Sequence, residues 1–211
     1  IYAGYNINEL AGRVTFEEVV HLLHEDRLPN KSELARLKAE LAGERDLPRG
    51  VIDMLRSLPK GTPPMHAVRT GISALGCFDQ EADDLSSESL KRTALRLIAQ
   101  IPVVVATFHG LRCGKEVLTP DPSLGEAANF LYLVDGEKPS AEKEQTMDLC
   151  YVLYADHGMN ASTFSARVTI AKARNSACRG ASAMLSRIRR SPSRTSPASL
   201  RISPSRCVAP A

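Results

Sequence analysis

Between Thr15 and about His157 the apolar residues recur three and four positions apart, in stretches opened by a capping residue and closed by Gly or Pro. That spacing puts them on one face of an α-helix rather than in a strand, whose period is two. Thr15-Phe16-Glu17-Glu18 fits a capping box, in which Thr15 accepts from a free N–H and Glu18 reaches back. The helix behind it turns Val19, Val20, Leu22 and Leu23 inward and stops before Pro29. A second starts near Asn30 or Ser32 and carries Leu34, Leu37 and Leu41; a left-handed Gly43 is expected to end it. Pro48 suits a first helical turn, and Val51, Ile52, Leu55 and Leu58 form the apolar face up to Pro59.

After the turn-rich stretch 60–64, Met65 to Gly76 reads as a further helix. Ser86 or Ser87 caps a long segment with Leu90, Ala94, Leu95, Leu97 and Ile98. The run Ile101 to Ala106 has the local propensity of a strand. No partner strand is evident, so a helix kinked at Pro102 is the preferred reading. Pro120, Pro122 and Ser123 open the next helix, Leu124 to Asp135, closed by Gly136. Pro139 and Ser140 open the last, through Met147, Leu149, Cys150, Val152 and Leu153 to about His157. The expected fold class is all-α with short connections.

A chain of 211 residues makes one or two domains. A block the size of residues 1–170 can bury ~70% of its unfolded surface, enough for a core. The absence of Trp and the scarcity of other aromatics argue against base stacking on single-stranded nucleic acid. No unbroken apolar run approaches the ~18 residues of a membrane span, so no membrane partner is expected. The opening stretch lacks a basic n-region and is not a secretory signal; it also lacks Met, so the chain is expected to begin inside a longer product. Cys77, Cys113, Cys150, Cys178 and Cys207 are far apart and form no C-x-x-C pair. They read as buried or incidental thiols in a reducing, cytoplasmic setting.

Charge divides the chain sharply. Residues 171–211 hold nine of the 27 basic groups, Lys172 and eight arginines, and none of the 24 acids, which leaves residues 1–170 at −6. This segment is rich in Ser, Arg, Ala and Pro and shows no apolar stripe after Ile188. Such a composition does not repay the entropy of ordering, so a disordered basic tail is expected there. The switch in character coincides with the loss of helical pattern, which suggests a shift of coding frame near residue 170. Reading the DNA in its other two frames tests this.

Three groups of motifs then stand out. Gly4-Tyr5-Asn6-Ile7-Asn8-Glu9-Leu10-Ala11 is followed by Phe16-Glu17-Glu18 and by Leu22-Leu23 and Leu28-Pro29. Pro64-Met65 leads to Arg69-Thr70-Gly71-Ile72-Ser73-Ala74-Leu75-Gly76. Ala127-Ala128-Asn129-Phe130-Leu131-Tyr132 precedes Gly136, Pro139 and the run from Ala155-Asp156-His157-Gly158-Met159-Asn160 to Arg167. In order and spacing these resemble the citrate synthase and 2-methylcitrate synthase family of the bacterial type. The likeness covers residues 1–170, as part of the large helical domain. Pro63 stands where the family's "HPM" motif has His, and Tyr154 where its "HADH" motif has the first His.

The resemblance implies a mostly helical homodimer that condenses acetyl-CoA with oxaloacetate and then hydrolyses the thioester. Such chemistry needs a base for the acetyl methyl, a donor for the enol, and positive groups for the dicarboxylate. His157 matches the family's oxaloacetate-binding histidine, and Asn160 belongs to the same motif. No cofactor is implied, since acetyl-CoA enters as substrate, and no metal-ligand spacing is present: His21 and His24 lack a third partner, and His66 and His109 stand apart. The family's "GP.HGGAN" loop, its "GHR" segment and its catalytic aspartate have no counterpart. After His157 the chain contains no His, Asp or Glu. The expectation is therefore a truncated family member, inactive unaided, with no catalytic residue to name. The rival readings are a non-enzymatic helical dimerisation fragment and a nucleic-acid binder acting through the tail. The acidic balance of residues 1–170 argues against the last. The choice between acetyl-CoA and propionyl-CoA rests on pocket contacts outside these motifs.

Overall fold

The structure, a computed structural model, describes residues 1–155 together with residues 165, 168 and 169. The described residues form eight helices and no strand, with one isolated bridge between Tyr2 and Tyr5. The helices are α1 (Ile7–Leu10), α2 (Phe16–Glu25), α3 (Lys31–Gly43), α4 (Arg49–Ser57), α5 (Pro64–Phe78), α6 (Ser87–Arg112), α7 (Glu126–Asp135) and α8 (Ala141–Tyr154). The all-α expectation holds. The boundary expected near residue 170 and the basic tail lie outside the described residues.

Local capping sets most helix starts. At α2 the Thr15 hydroxyl accepts from the Glu18 N–H, and the Glu18 carboxylate accepts from the Thr15 N–H at 2.7 Å, the expected box. Asn30 and Glu33 build the same device at α3, and Asn6 and Glu9 build it at the four-residue α1. Ser86 and Ser140 cap α6 and α8. Gly136 closes α7 with φ 92°, as its sequence position predicts. Gly43 behaves differently from expectation. It is the last helical residue of α3, and the chain leaves through Glu44 at φ −95°, whose N–H reaches both the Glu40 and Leu41 carbonyls. That exit needs no left-handed residue.

Helix α6 runs unbroken through Pro102, so the β-prone run Ile101 to Ala106 is helical. Tertiary burial overrides propensity here: Val103, Val104, Ala106 and Phe108 are all buried. This helix is long and apolar enough to cross a membrane by length and composition alone. Its burial among other helices identifies it as the core helix of the fold instead. One cluster joins Val104 and Phe108 to Val51, Leu55, Ala67 and Leu75 of α4 and α5. A second sets Ala99 against Val20, Leu37 and Leu41 of α2 and α3. A third sets Val103 and Ala106 against Leu133 of α7. Around the end of α8, Val152 packs with Tyr2, Leu10, Val19 and Leu22.

Candidate functional site

The residues that the sequence nominates, His157 and Asn160, lie outside the described residues. The structure does describe the helix pair α7–α8, the second member of which leads directly to them, and the contacts that hold this pair in place.

Helix α7 begins at Glu126, two residues later than the sequence pattern predicts, because Gly125 occupies the N-cap. Gly125 has no side chain with which to cap. Glu17 of α2 does the work from 109 residues away, its carboxylate accepting from the Glu126 N–H at 3.0 Å. A Cβ on Gly125 would lie 2.9 Å from that carboxylate oxygen, so the absence of a side chain makes room for the cap. The Glu126 side chain meets Arg45, from the α3–α4 connection, whose Nε and Nη2 both donate to Oε1 at 2.9 and 2.7 Å. Both side chains are almost wholly buried. The third arm of Arg45 donates from Nη1 to the Asp121 carbonyl. Asn129 accepts from the Asp121 N–H, which ties the loop before α7 to the helix itself.

Helix α8 is fastened differently. Asp148 accepts from the Phe16 N–H at 2.9 Å and so supplies a cap to the first turn of α2. Phe16 lies against Tyr151 with ring centroids 5.0 Å apart, and Phe130 of α7 approaches the same ring. At the far end, the Tyr2 hydroxyl donates to the carbonyls of Val152 and Leu153. Among the described residues helix α8 runs to Tyr154, and its expected limit near His157 lies outside them.

A cleft of about 670 Å³ opens between α2, α3, α7 and α8, with Glu17, Lys38, Arg45, Glu126 and Asp148 among its walls. Burial raises the Glu126 carboxyl above its ordinary range, Arg45 opposes that shift, and Glu17 adds to it. Burial likewise raises Asp148, against the hydrogen bond from Phe16. Burial also raises the Tyr151 phenol, with the Glu126 charge adding to the effect. These acids serve as helix fasteners rather than as reagents. Glu17 and Asp148 cap helix ends, and Oε2 of Glu126 makes no hydrogen bond and has no solvent access. Among the described residues no group of three or more His, Cys, Asp or Glu side chains is placed to hold a metal ion.

The other groups named from the sequence fall as follows. His21 is buried and its Nδ1 bonds to the Arg27 carbonyl. Cys77, Cys113 and Cys150 are free and exposed, which leaves the incidental of the two expected readings for these three. The buried polar residues Arg45, Glu126 and Asn129 escape a reading based on apolar spacing. Their only sequence signal is that Glu126 and Asn129 flank the Ala-Ala pair of the motif quoted above.

Comparison with known proteins gives the same answer as the motifs. Residues 1–186 match the family described as citrate synthase, C-terminal domain. Citrate synthase 2 of Bacillus subtilis is 44% identical over 171 residues, which are 81% of this chain and 46% of that protein. The citrate/2-methylcitrate synthase of the same organism is 39% identical over 165 residues, 78% of this chain and 44% of its own length. The crystal structure of citrate synthase from Pyrobaculum aerophilum superposes with a TM-score of 0.72 at 35% identity, covering 77% of this chain and 43% of that one. The chain thus spans about half the length of the curated relatives it matches. With its helices, its motifs and these relatives in agreement, the chain belongs to the citrate synthase family.

Proposed function

We propose that this chain supplies the oxaloacetate-recognising part of a citrate synthase, with His157 and Asn160 contributing to the substrate site. The observation that carries this reading is the continuity of the family likeness through α8 into Ala155-Asp156-His157-Gly158-Met159-Asn160. There the family places the histidine that holds the ketodiacid. The reaction is the family's: the acetyl-CoA methyl loses a proton, the enol carbon bonds to the oxaloacetate ketone carbon, and water then releases coenzyme A and citrate. Residues 158–211 contain no Asp, Glu or His side chain to take that methyl proton. The base therefore comes from another stretch. Helix α5 supports the dimeric arrangement of the family, since it exposes Met65 beside half-buried Val68 and Ile72 on a face that a second copy would cover. A cytoplasmic location fits this reading.

The test uses the full chain, purified free of host citrate synthase. Oxaloacetate binding is measured by calorimetry, and thiol release is measured with acetyl-CoA and with propionyl-CoA. The expected result is oxaloacetate binding that His157→Ala abolishes, with no thiol release above the blank. Absence of oxaloacetate binding refutes the reading. Thiol release that falls in His157→Ala moves the base into these 211 residues.

A further inference from the structure

Two consecutive residues in the first turn of α2 join that helix to both α7 and α8. The Phe16 N–H is one of the donors that a helix start leaves without a backbone partner, and Asp148 of α8 accepts from it at 2.9 Å. The next residue, Glu17, reaches outward, and its carboxylate accepts from the Glu126 N–H at the start of α7 at 3.0 Å. A single turn therefore receives a cap from α8 and gives one to α7. Both caps are carboxylates supplied by another helix.

This arrangement gathers three carboxyl groups on the wall of the cleft of about 670 Å³. Glu17 and Glu126 are buried there, and Asp148 is half-buried. Their charges are answered unequally. Glu126 has the Arg45 guanidinium. Asp148 has Lys38 of α3, set against the charges of Glu17 and of Glu144 on its own helix. Glu17 makes no ion pair with a described residue. After burial, which is the larger cause, the Glu17 charge raises the carboxyls of both Glu126 and Asp148. The Tyr151 phenol of α8 is raised by burial and by the Glu126 charge, and it stays uncharged through the carboxyl range.

We infer that Glu17, Glu126 and Asp148 form one acid-tightened clasp, in which Glu17 couples the seating of α7 on α2 to that of α8. As the three groups charge, repulsion across the cleft opposes both caps together. When the cluster takes up a proton the repulsion falls, and both helices seat more firmly. A protonated carboxyl keeps its carbonyl oxygen as an acceptor, so the caps survive the uptake. A carboxyl raised in the folded state gives stability that is present below its unfolded value and lost as pH rises through the folded one. The clasp therefore slackens above the ordinary values of 3.8 for Asp148 and 4.5 for Glu126.

The experiment is an NMR pH titration of the full chain, following carboxyl and amide signals in the native protein and in Glu17→Gln. Glutamine keeps an oxygen for the Glu126 N–H and removes only the charge. In the native chain the Glu126 and Asp148 midpoints are expected above their ordinary values, and both are expected to fall in Glu17→Gln. Glu144→Gln, at an exposed position of α8, is expected to lower the Asp148 midpoint and leave that of Glu126 in place. In the native chain the amide signals of Phe16 and Glu126, one under each cap, are expected to share their pH transitions, as interacting sites do. Urea unfolding is expected to show less stability lost from mildly acidic to neutral pH in Glu17→Gln than in the native chain. An Asp148 or Glu126 midpoint that stays in place in Glu17→Gln overturns the proposal, as does a Glu126 midpoint that moves as far in Glu144→Gln. Should Glu17→Gln fail to fold, the native amides decide: shared transitions support the clasp, and independent ones overturn it.

Discussion

Replacing Arg45 with Met tests the most heavily buried ion pair among the described residues. Arg45 makes two hydrogen bonds to Glu126 and one to the Asp121 carbonyl, and both charged side chains are shielded from water. Removing one partner of a buried ion pair costs ~3–5 kcal/mol, because the other charge is left without compensation. The pH dependence gives an independent estimate. Without Arg45, Glu126 folds in its neutral form. Holding a carboxyl neutral at pH 7.5, about three units above its ordinary value of 4.5, costs ~4 kcal/mol at 1.36 kcal/mol per unit. This is an upper bound on the difference, because the native protein, whose Glu126 is itself raised, already carries part of that cost. The direction of the shift also fixes the sign. A raised folded pKa gives stability that is present below the unfolded value and lost as pH rises through the folded one. Arg45→Met raises that pKa further, so the gap between variant and native protein opens above pH 4.5. Urea unfolding followed by circular dichroism is expected to show a loss of ~3–4 kcal/mol at pH 7.5. At pH 4.5 the expected loss is ~1 kcal/mol, the scale of the hydrogen bond to Asp121. Adding Glu126→Leu removes the stranded charge and is expected to restore most of the loss at pH 7.5. A loss below ~1 kcal/mol at pH 7.5, or one of equal size at both pH values, would refute the reasoning.

Two further outcomes follow from particular contacts. A Cβ on Gly71 of α5 would lie 2.6 Å from Cγ1 of Val104, which is fully buried. Gly71→Ala is therefore expected to lose ~1–3 kcal/mol to overpacking despite its better helix propensity, and Val104→Ala in the same chain to recover part of this, read as thermal midpoints. Glu33 is held down to about 2 by the Arg27 guanidinium and then by the Asn30 N–H, and Asp121 is held to about 2 by Ser123 and then Lys138. A depressed folded pKa stabilises above the unfolded value and is lost as pH falls, so both contributions are expected to fade between about pH 4.5 and 2. Carboxyl NMR titration of the folded chain checks this, and midpoints near 4 for either group would contradict it.

The sequence by itself determined the elements with local causes. Thr15 with Glu18, Asn30, Ser86 and Ser140 start helices because each cap bonds within its own first turn. The spacing of Val19, Val20 and Leu22, or of Val51 and Leu55, names the buried face because helix period and burial share one geometry. The family motifs needed only order and spacing. Tertiary structure decided what depends on distant partners. The β-prone run around Val103 and Val104 is helical because α5 and α7 bury it. Helix α7 starts at Glu126 because Glu17, far away in sequence, caps it, and Arg45 finds Glu126 across 81 residues. The Tyr2 hydroxyl reaches the Val152 and Leu153 carbonyls from the other end of the chain, and acceptors that are backbone carbonyls leave no mark in any residue's identity. A periodicity reads which side chains leave water, but a bond to a backbone carbonyl is written only in the folded geometry.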